Sequence, residues 1–535
     1  MKISLKALGL AAIVLLVGQS VSAKDLFVAL TGNDTVTYAN NSITSPWATP
    51  AKAWAEARAG DTVFFRGGTY LVTETINTKY TGHDGTATAP ITFTHYGNES
   101  VVIDGTIPSG PLILIERSYH HLVGLTIRAR IGGSGWVVQV GYDLPVANHV
   151  KITRCTLEFT AGGWDNTACV HLYNKIANFA EVSHCRMSGN QIGNGVIAFR
   201  TQGARIFNNE FTNLGHGVYW KHSNALADAP ELQVQITNNV FRNLPGSGVY
   251  GNPNRALIQN NLMIQCAGGV SFGDDGGPGD GYVGADENII RHNTLVNCGI
   301  GFTYESRSPS EDPNRGCLRN IIENNVVMGP MHLHPYTAPR DASGVPIPGY
   351  DYDTHSNWNL YPDRPDLFVE NRTNYSLAQW RTYNGTDAQS LTGQPVFVGG
   401  AAPTTIAGFA LAAGSPGKNA GSDGKDLGAD VSRVGIQIPA SLTITSPNGG
   451  EAWRRGETRQ ITWSITGATG GSPLRIEFLS GDTVLGNIAT DVDAAAGSFT
   501  WTVGRLADGT FRTGPNLKIR ISTVSGHLAA ARGMR

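Results

Sequence analysis

Lys221, His222 and Arg200 are the residues of this 535-residue chain whose types and placing first suggest proton chemistry. A lysine flanked by other cations holds its proton less firmly, which is how an amine comes to act as a base near neutral pH. Further along, Asp274, Asp275 and Asp280 stand among glycines in a stretch that closes on Asp286 and Glu287. A glycine-rich backbone lets several carboxylates converge, as a hard, oxygen-ligated cation such as Ca²⁺ requires. These three aspartates are the expected metal ligands. The spacing is not that of an EF-hand, and a solvated surface turn is the competing reading. Together the groups suit abstraction of a proton beside a carboxylate. Arg200 would pair with that carboxylate, Lys221 would be the base and His222 the second candidate for that role. The alternative for Lys221 is a solvated lysine bonded to acids of neighbouring segments.

Residues this far apart must be gathered by a repeat, and one is present. Ile206-Phe207-Asn208-Asn209-Glu210-Phe211 recurs as Ile236 to Phe241, Ile258 to Met263, Ile290 to Leu295 and Ile322 to Val327. Successive intervals of 30, 22, 32 and 32 residues are too irregular for a helical solenoid. A second signature follows at Gly195-Val196, Gly217-Val218, Gly248-Val249, Gly269-Val270 and Gly299-Ile300. Each unit therefore predicts about three short strands. One such unit cannot bury its apolar face alone, but units stacked about 4.8 Å apart can. The expected architecture is all-β, a parallel β-helix with its asparagines hydrogen-bonded along the stack. The same register places Cys155 with Cys185 and Cys266 with Cys298, read as stacked free thiols, because in-register side chains rarely reach disulfide geometry.

A filled coil leaves only its outer faces for a ligand. After each Gly-Val pair one outward column reads Phe199, Lys221, Asn252, Gly273, Thr303, and the next reads Arg200, His222, Pro253, Asp274, Tyr304, followed by Asp275 and Glu305. Tyr219 and Tyr250, with Tyr173, share that face and could stack on sugar rings. Tyr219, Tyr250, Asn252 and Glu305 are the expected substrate-binding residues. A row of mixed charge and aromatics suits an extended acidic polysaccharide.

Composition limits the partners further. Charged residues make up 15% of the chain and the formal net charge is −2, so no global field draws it to nucleic acid or an anionic membrane. Lys2 and Lys6 precede an apolar run at residues 7–17 that ends in Val21-Ser22-Ala23. That is the pattern of a signal peptide cleaved after Ala23, and it predicts a secreted protein, expected to be a monomer. No other stretch approaches membrane-spanning length.

Trp47-Ala48-Thr49-Pro50-Ala51-Lys52-Ala53, Gly60-Asp61-Thr62-Val63 and Gly68-Thr69-Tyr70 resemble the opening segment of the pectate-lyase-like right-handed β-helix superfamily. Leu411-Ala412-Ala413-Gly414-Ser415-Pro416, Asn419-Ala420-Gly421 and Asp426-Leu427-Gly428-Ala429-Asp430 resemble its closing segment. The resemblance covers about residues 24–430 and implies a right-handed parallel β-helix, expected over residues 24–436 with residues 24–105 as the cap and first coils, and residues 50–59 read as a short amphipathic helix that would cap the open end. The superfamily includes lyases, epimerases and hydrolases, so it implies fold more than activity. Its pectate lyases use calcium held by several aspartates and a lysine base later in the chain, whereas here Lys221 precedes the acidic loop. Gly215-His216-Gly217 resembles a polygalacturonase motif, but the acidic pair follows it instead of preceding it, and His216 is read as marking a turn. His332, His334 and His355 are read as belonging to a loop over the outer face, with a metal site as the alternative.

Residues 442–525 change character to alternating strands, including Gln460-Ile461-Thr462-Trp463 and Ser498-Phe499-Thr500-Trp501. They predict an immunoglobulin-like β-sandwich resembling those of fungal cell-wall proteins. Trp463 and Trp501 fall on the apolar phase, and Trp453 is freer to bind a sugar. Three activities remain open: a polysaccharide lyase, a glycoside hydrolase using Asp275 and Glu305 as acid and base, and a non-catalytic carbohydrate-binding protein.

Overall fold

The computed structural model describes residues 23–161, 166–173, 177–221, 230–273, 285–303, 317, 319–332, 354–370, 373–437, 441–449, 451–466, 473–481, 483–493, 496–523 and 529–533. Each unit of the repeat becomes one rung. In one of them the strand Arg205–Phe207 runs into Asn208, whose φ of 56° turns the chain, and the strand Glu210–Thr212 follows. Asn213, at φ 55°, turns it again before the strand His216–Lys221. Asparagine accepts this left-handed backbone more readily than bulkier residues.

Among the described residues the stacked rungs form three sheets of 12 strands each, parallel except where Phe368–Glu370 pairs antiparallel with Thr373–Tyr375. Sheet A holds the strands before the Asn corner, sheet B those after it, and sheet C those after the second corner. The inward columns match the repeat. Ile206, Ile236, Ile258, Ile290 and Ile322 lie in register in sheet A. Phe211, Phe241, Met263, Leu295 and Val327 do so in sheet B. Val196, Val218, Val249, Val270 and Ile300 do so in sheet C, and all of these side chains are buried. The glycine before each sheet C valine has a steric cause. A Cβ on Gly195 would lie 2.3 Å from the Phe211 ring, and one on Gly217 would lie 2.2 Å from the Phe241 ring.

The second asparagine of each corner carries the ladder. Its side-chain Oδ1 accepts from both the backbone N–H and the Nδ2 of the asparagine one rung earlier. The side-chain bonds run Asn209 to Asn239 at 3.0 Å, Asn239 to Asn261 at 3.1 Å, then Asn261 to Asn293, Asn293 to Asn325 and Asn325 to Asn359 at 3.0 Å each. All six are fully buried. The two asparagines of a pair thus divide the work: the first adopts the left-handed turn and the second satisfies buried donors. The six cysteines are free and buried.

At the N-terminal end the helix Pro50–Glu56 starts on Thr49, whose Oγ1 accepts from the Lys52 N–H at 3.2 Å. It ends short of residue 59 because Ala57 is extended, and it closes the coil by stacking Trp54 on Phe93 with ring centroids 4.0 Å apart. At the other end residues 393–436 run back over the later rungs of sheet B. Phe397, Phe409, Leu411 and Val434 pack on Val240, Leu262 and Ile264, and Leu427 packs on Val326 and Leu360. The turn-forming asparagines hold this strap. Asn208 donates to the Arg433 and Gly435 carbonyls at 2.6 and 2.8 Å, and Asn324 accepts from the Ser422 N–H at 2.8 Å.

Residues 437–535 form a second compact unit. An antiparallel three-stranded sheet and an antiparallel four-stranded sheet share a core that includes Ile461, Trp463, Phe478, Trp501 and Ile519. Its last strand, Ala529–Gly533, lies beyond the sequence-based boundary at 525. Trp453 is half-buried against Trp501, with ring centroids 6.3 Å apart.

Asn293→Ala removes the acceptor of two buried Asn261 donors. Each orphaned group costs about 1–3 kcal/mol, so the unfolding free energy measured by denaturant titration is expected to fall by about 2–4 kcal/mol. Asn297→Gly, at an exposed corner with φ 57°, is expected to change it by less than about 1 kcal/mol.

Candidate functional site

The outer faces of the three sheets differ in what they offer. On sheet A, charges alternate along the stack and pair: Lys151 with Glu181 at 3.8 Å, Glu181 with Arg205 at 3.9 Å, Arg291 with Glu323 at 4.0 Å. On sheet B the strap covers the later rungs, and the earlier ones carry ion pairs, Arg128 with Glu158 at 3.0 Å and Arg186 with Glu210 at 3.3 Å. Sheet C presents polar and aromatic side chains.

Three outward columns run along sheet C. The first aligns Trp136, Ala168, Asn194 and His216; the second aligns Gln139, His171, Ile197, Tyr219, Tyr250 and Ser271; the third pairs Phe199 with Lys221. Parallel pairing sets neighbouring rungs about 4.8 Å apart, so the rings form a strip spanning five rungs, roughly 19 Å. Trp136 lies 4.5 Å from His171, His171 5.4 Å from Tyr173, and Tyr173 6.0 Å from Phe199, measured between ring centroids. His216 stacks on Tyr250 at 4.4 Å and 16°, and Tyr219 meets Tyr250 at 4.9 Å. Tyr142 extends the strip from a loop held by Glu116, a fully buried carboxylate accepting from the Tyr142, Asp143 and Leu144 N–H groups at 3.1, 3.0 and 3.2 Å.

Lys221 ends the strand His216–Lys221 on this strip. Its Nζ lies 4.4 Å from the Tyr219 ring centroid and donates to Asn166 Oδ1. The Asn166 carbonyl in turn accepts from Trp136 Nε1 at 2.8 Å, so one residue ties the lysine to the aromatic row. Arg200 lies beside Lys221 through its backbone, its N–H donating to the Lys221 carbonyl at 3.1 Å. Its φ of 53° ends the strand, so its side chain does not continue a straight outward column; the guanidinium carbon sits 5.2 Å from the Phe199 ring centroid.

Tyr219 and Tyr250 are register partners on the strip. Asn252 corrects the sequence-based column. Gly251, at φ 117°, breaks the alternation after Tyr250, and Asn252 is only 1% exposed, its N–H donating to the Trp220 carbonyl at 3.0 Å. A Cβ on Gly251 would lie 1.9 Å from that same carbonyl oxygen, so the turn requires glycine. His216 is a second correction. It opens a strand instead of marking a turn, and its Nδ1 accepts from the Ser247 N–H at 2.9 Å. That bond leaves Nε2 to carry the ring proton. His222, Asp274, Asp275, Asp280 and Glu305 lie outside the described residues, and so does His334. Among the described residues no group of three or more His, Cys, Asp or Glu side chains is placed to hold a metal ion.

Sequence reasoning missed Trp136, Asn166 and His171. The signal for His171 was present, since it falls in the same phase as Tyr219, one residue after the inward valine. Trp136 and Asn166 precede the clear asparagine repeat, where no pattern sets their register.

Residues 26–180 match a family described as "Pel9A-like, right handed beta helix region", and residues 112–278 and 168–333 match "Right handed beta helix region". The chain folds as a right-handed β-helix. It is 40% identical over 94 residues to "Pectate lyase PEL9" of Emericella nidulans, covering 17% of this chain and 21% of that protein. It is 38% identical over 114 residues to "Uncharacterized protein YwoF" of Bacillus subtilis (strain 168), covering 20% and 23% respectively. The chain thus spans under a quarter of the length of these relatives. Among solved structures, "Crystal structure of pectate lyase Pel9A" is similar with TM-score 0.41 and 16% identity, over 76% of this chain and 96% of that one.

Burial holds three histidines of the β-helix below the ordinary imidazole range: His171 at about 3, with the Lys221 charge as a lesser cause, and His120 and His216 at about 4. Each is neutral in the folded chain and gains a proton on unfolding below the ordinary value of about 6.5. Their contribution to stability is therefore complete above about pH 6.5 and is lost as pH falls toward about 4. The thermal midpoint is expected to drop between about pH 7 and about pH 5, and His120→Asn should flatten that slope. An unchanged midpoint would contradict burial of neutral rings.

Proposed function

We propose that this protein is an exported polysaccharide lyase that cleaves a uronate-containing glycan by β-elimination on the outer face of sheet C. The observation that carries the reading is the placing of Lys221 Nζ on an aromatic strip, oriented by Asn166 and Tyr219. Tyr173, Tyr219 and Tyr250 offer faces for sugar rings, and the length of the strip suits an extended polymer. The local likeness to a protein named pectate lyase and to the Pel9A-like family supports the same class.

In this mechanism the neutral amine of Lys221 takes the proton from the carbon beside the uronate carboxylate. The electron pair of that C–H bond forms a C=C bond to the next ring carbon. The bond from that carbon to the glycosidic oxygen breaks, and the leaving oxygen takes up a proton from water, to which the Lys221 ammonium later returns its own. Arg200 pairs with the carboxylate and lowers the cost of the developing charge. The acidic loop containing Asp274, Asp275 and Asp280 is the place where Ca²⁺ would add to that neutralisation. His216, with its Nε2 proton, is a hydrogen-bond donor to the sugar.

Polygalacturonate and alginate are the substrates to try, following the ultraviolet absorbance of an unsaturated product. Lys221→Ala is expected to lower kcat by about 10²–10⁴-fold, and wild-type kcat/KM should rise with pH as the lysine loses its proton. Tyr250→Ala is expected to weaken KM by roughly 3–10-fold. Full turnover by Lys221→Ala would defeat the assignment. New reducing ends without absorbance would point instead to hydrolysis. Removing divalent cations with a chelator is expected to abolish turnover and to restore it on Ca²⁺ addition.

A further inference from the structure

We infer that one end of the C-terminal sandwich is a second binding site for an acidic polysaccharide, built from Arg455, Arg505, Arg512 and Phe511. This inference rests on the acidic-glycan reading above but not on catalysis. Basic charge is concentrated in this unit: residues 437–535 carry ten Lys and Arg against seven Asp and Glu, whereas the remaining residues carry 30 against 35.

The turn after the strand Ser498–Thr502 organises the cluster. Gly504, at φ 85°, lets the chain fold back so that Arg505 bridges to Phe511 and the Arg512 N–H donates to the Gly504 carbonyl at 2.8 Å. A Cβ on Gly504 would lie 3.1 Å from the Arg512 carbonyl oxygen, 3.5 Å from Arg455 Cγ and 3.6 Å from Phe511 Cδ1, so glycine keeps this corner open. The Arg455 guanidinium stacks over the Phe511 ring at 4.9 Å, and Phe511 is 38% exposed. Arg454, Arg455, Arg505 and Arg512 are all exposed, and none forms an ion pair among the described residues. The acids nearby are bonded first to other groups, although Arg512 also attracts Asp508 and Arg454 also attracts Glu457. Asp508 accepts from the Thr510 N–H and Oγ1 at 2.9 and 2.7 Å, and Glu457 pairs with Arg459 at 2.7 Å.

A planar guanidinium binds a carboxylate through two parallel hydrogen bonds, and stacking on an aromatic ring pre-orders it for that contact. One such group stacked on an exposed ring, with two more exposed arginines on the same turn, therefore fits a polymer that alternates carboxylates with sugar faces. Neutral glycans would use the ring but leave the arginines unmatched.

The test is retention of the full-length protein on immobilised polygalacturonate, with amylose as the neutral control. Arg455→Gln, Arg505→Gln and Arg512→Gln combined should raise the dissociation constant at least about tenfold, and the matching triple Lys variant should keep most of the affinity. Affinity should weaken as salt rises. All four side chains of the site are exposed, so an unchanged thermal midpoint serves as the fold control, and Phe511→Ala gives an independent reading in the same assay. Equal retention of the wild type and the triple Gln variant overturns the site, as does binding of single-stranded nucleic acid as tight as polygalacturonate. Retention lost in the triple variant without any unsaturated product would defeat the lyase and leave this site standing. Product formed with retention unchanged by the triple variant would do the reverse.

Discussion

Every rung must turn sharp corners within a few residues, and at the Asn corner the backbone donors lie too deep for water to reach. An unmatched buried amide costs as much as a lost core contact. The asparagine ladder answers this by giving each buried N–H and each Nδ2 the same acceptor, one rung further along. The acceptor sits on the neighbouring rung, so the corners also fix the rungs in register with one another. Parallel pairing has no hairpin turn to set its register, and here the ladder and the inward Ile, Phe and Val columns set it together.

That register is what gathers the aromatic side chains on the face of sheet C. Trp136, Tyr173, Tyr219 and Tyr250 come from separate rungs, and they form one strip only because Val138, Val170, Val196, Val218 and Val249 stack beneath them. The other two faces differ in kind. On sheet A opposite charges satisfy each other along the stack, and on sheet B an apolar strap covers the later rungs. The turn-forming asparagines serve both the corner and the strap, since a side chain on a left-handed residue points outward and is free to bond the passing backbone.

Electrostatics divides the work differently from shape. Within the β-helix His171 and His216 on the strip are kept neutral by burial, while Lys221 and Arg200 lie beside them at its edge. In the sandwich, the arginines of the Gly504 turn form no ion pair among the described residues, and Asp508 is the acid that Arg512 attracts.

How much of this was legible depends on how local the cause was. The asparagine and Gly-Val columns are short-range patterns, because each rung meets the same steric demand at the same place, and from them the sequence by itself determined the three-sheet coil, its inward columns, the stacked thiols and the sharing of one face by Lys221, Tyr219 and Tyr250. The closing strap, the burial of Asn252, the stacking of His216 on Tyr250 and the joining of Lys221 to Trp136 through Asn166 were decided only in three dimensions. A left-handed glycine reverses which way the next side chain points, and a loop residue finds its partner across many intervening positions, so neither outcome is written in the spacing of residue types along the chain.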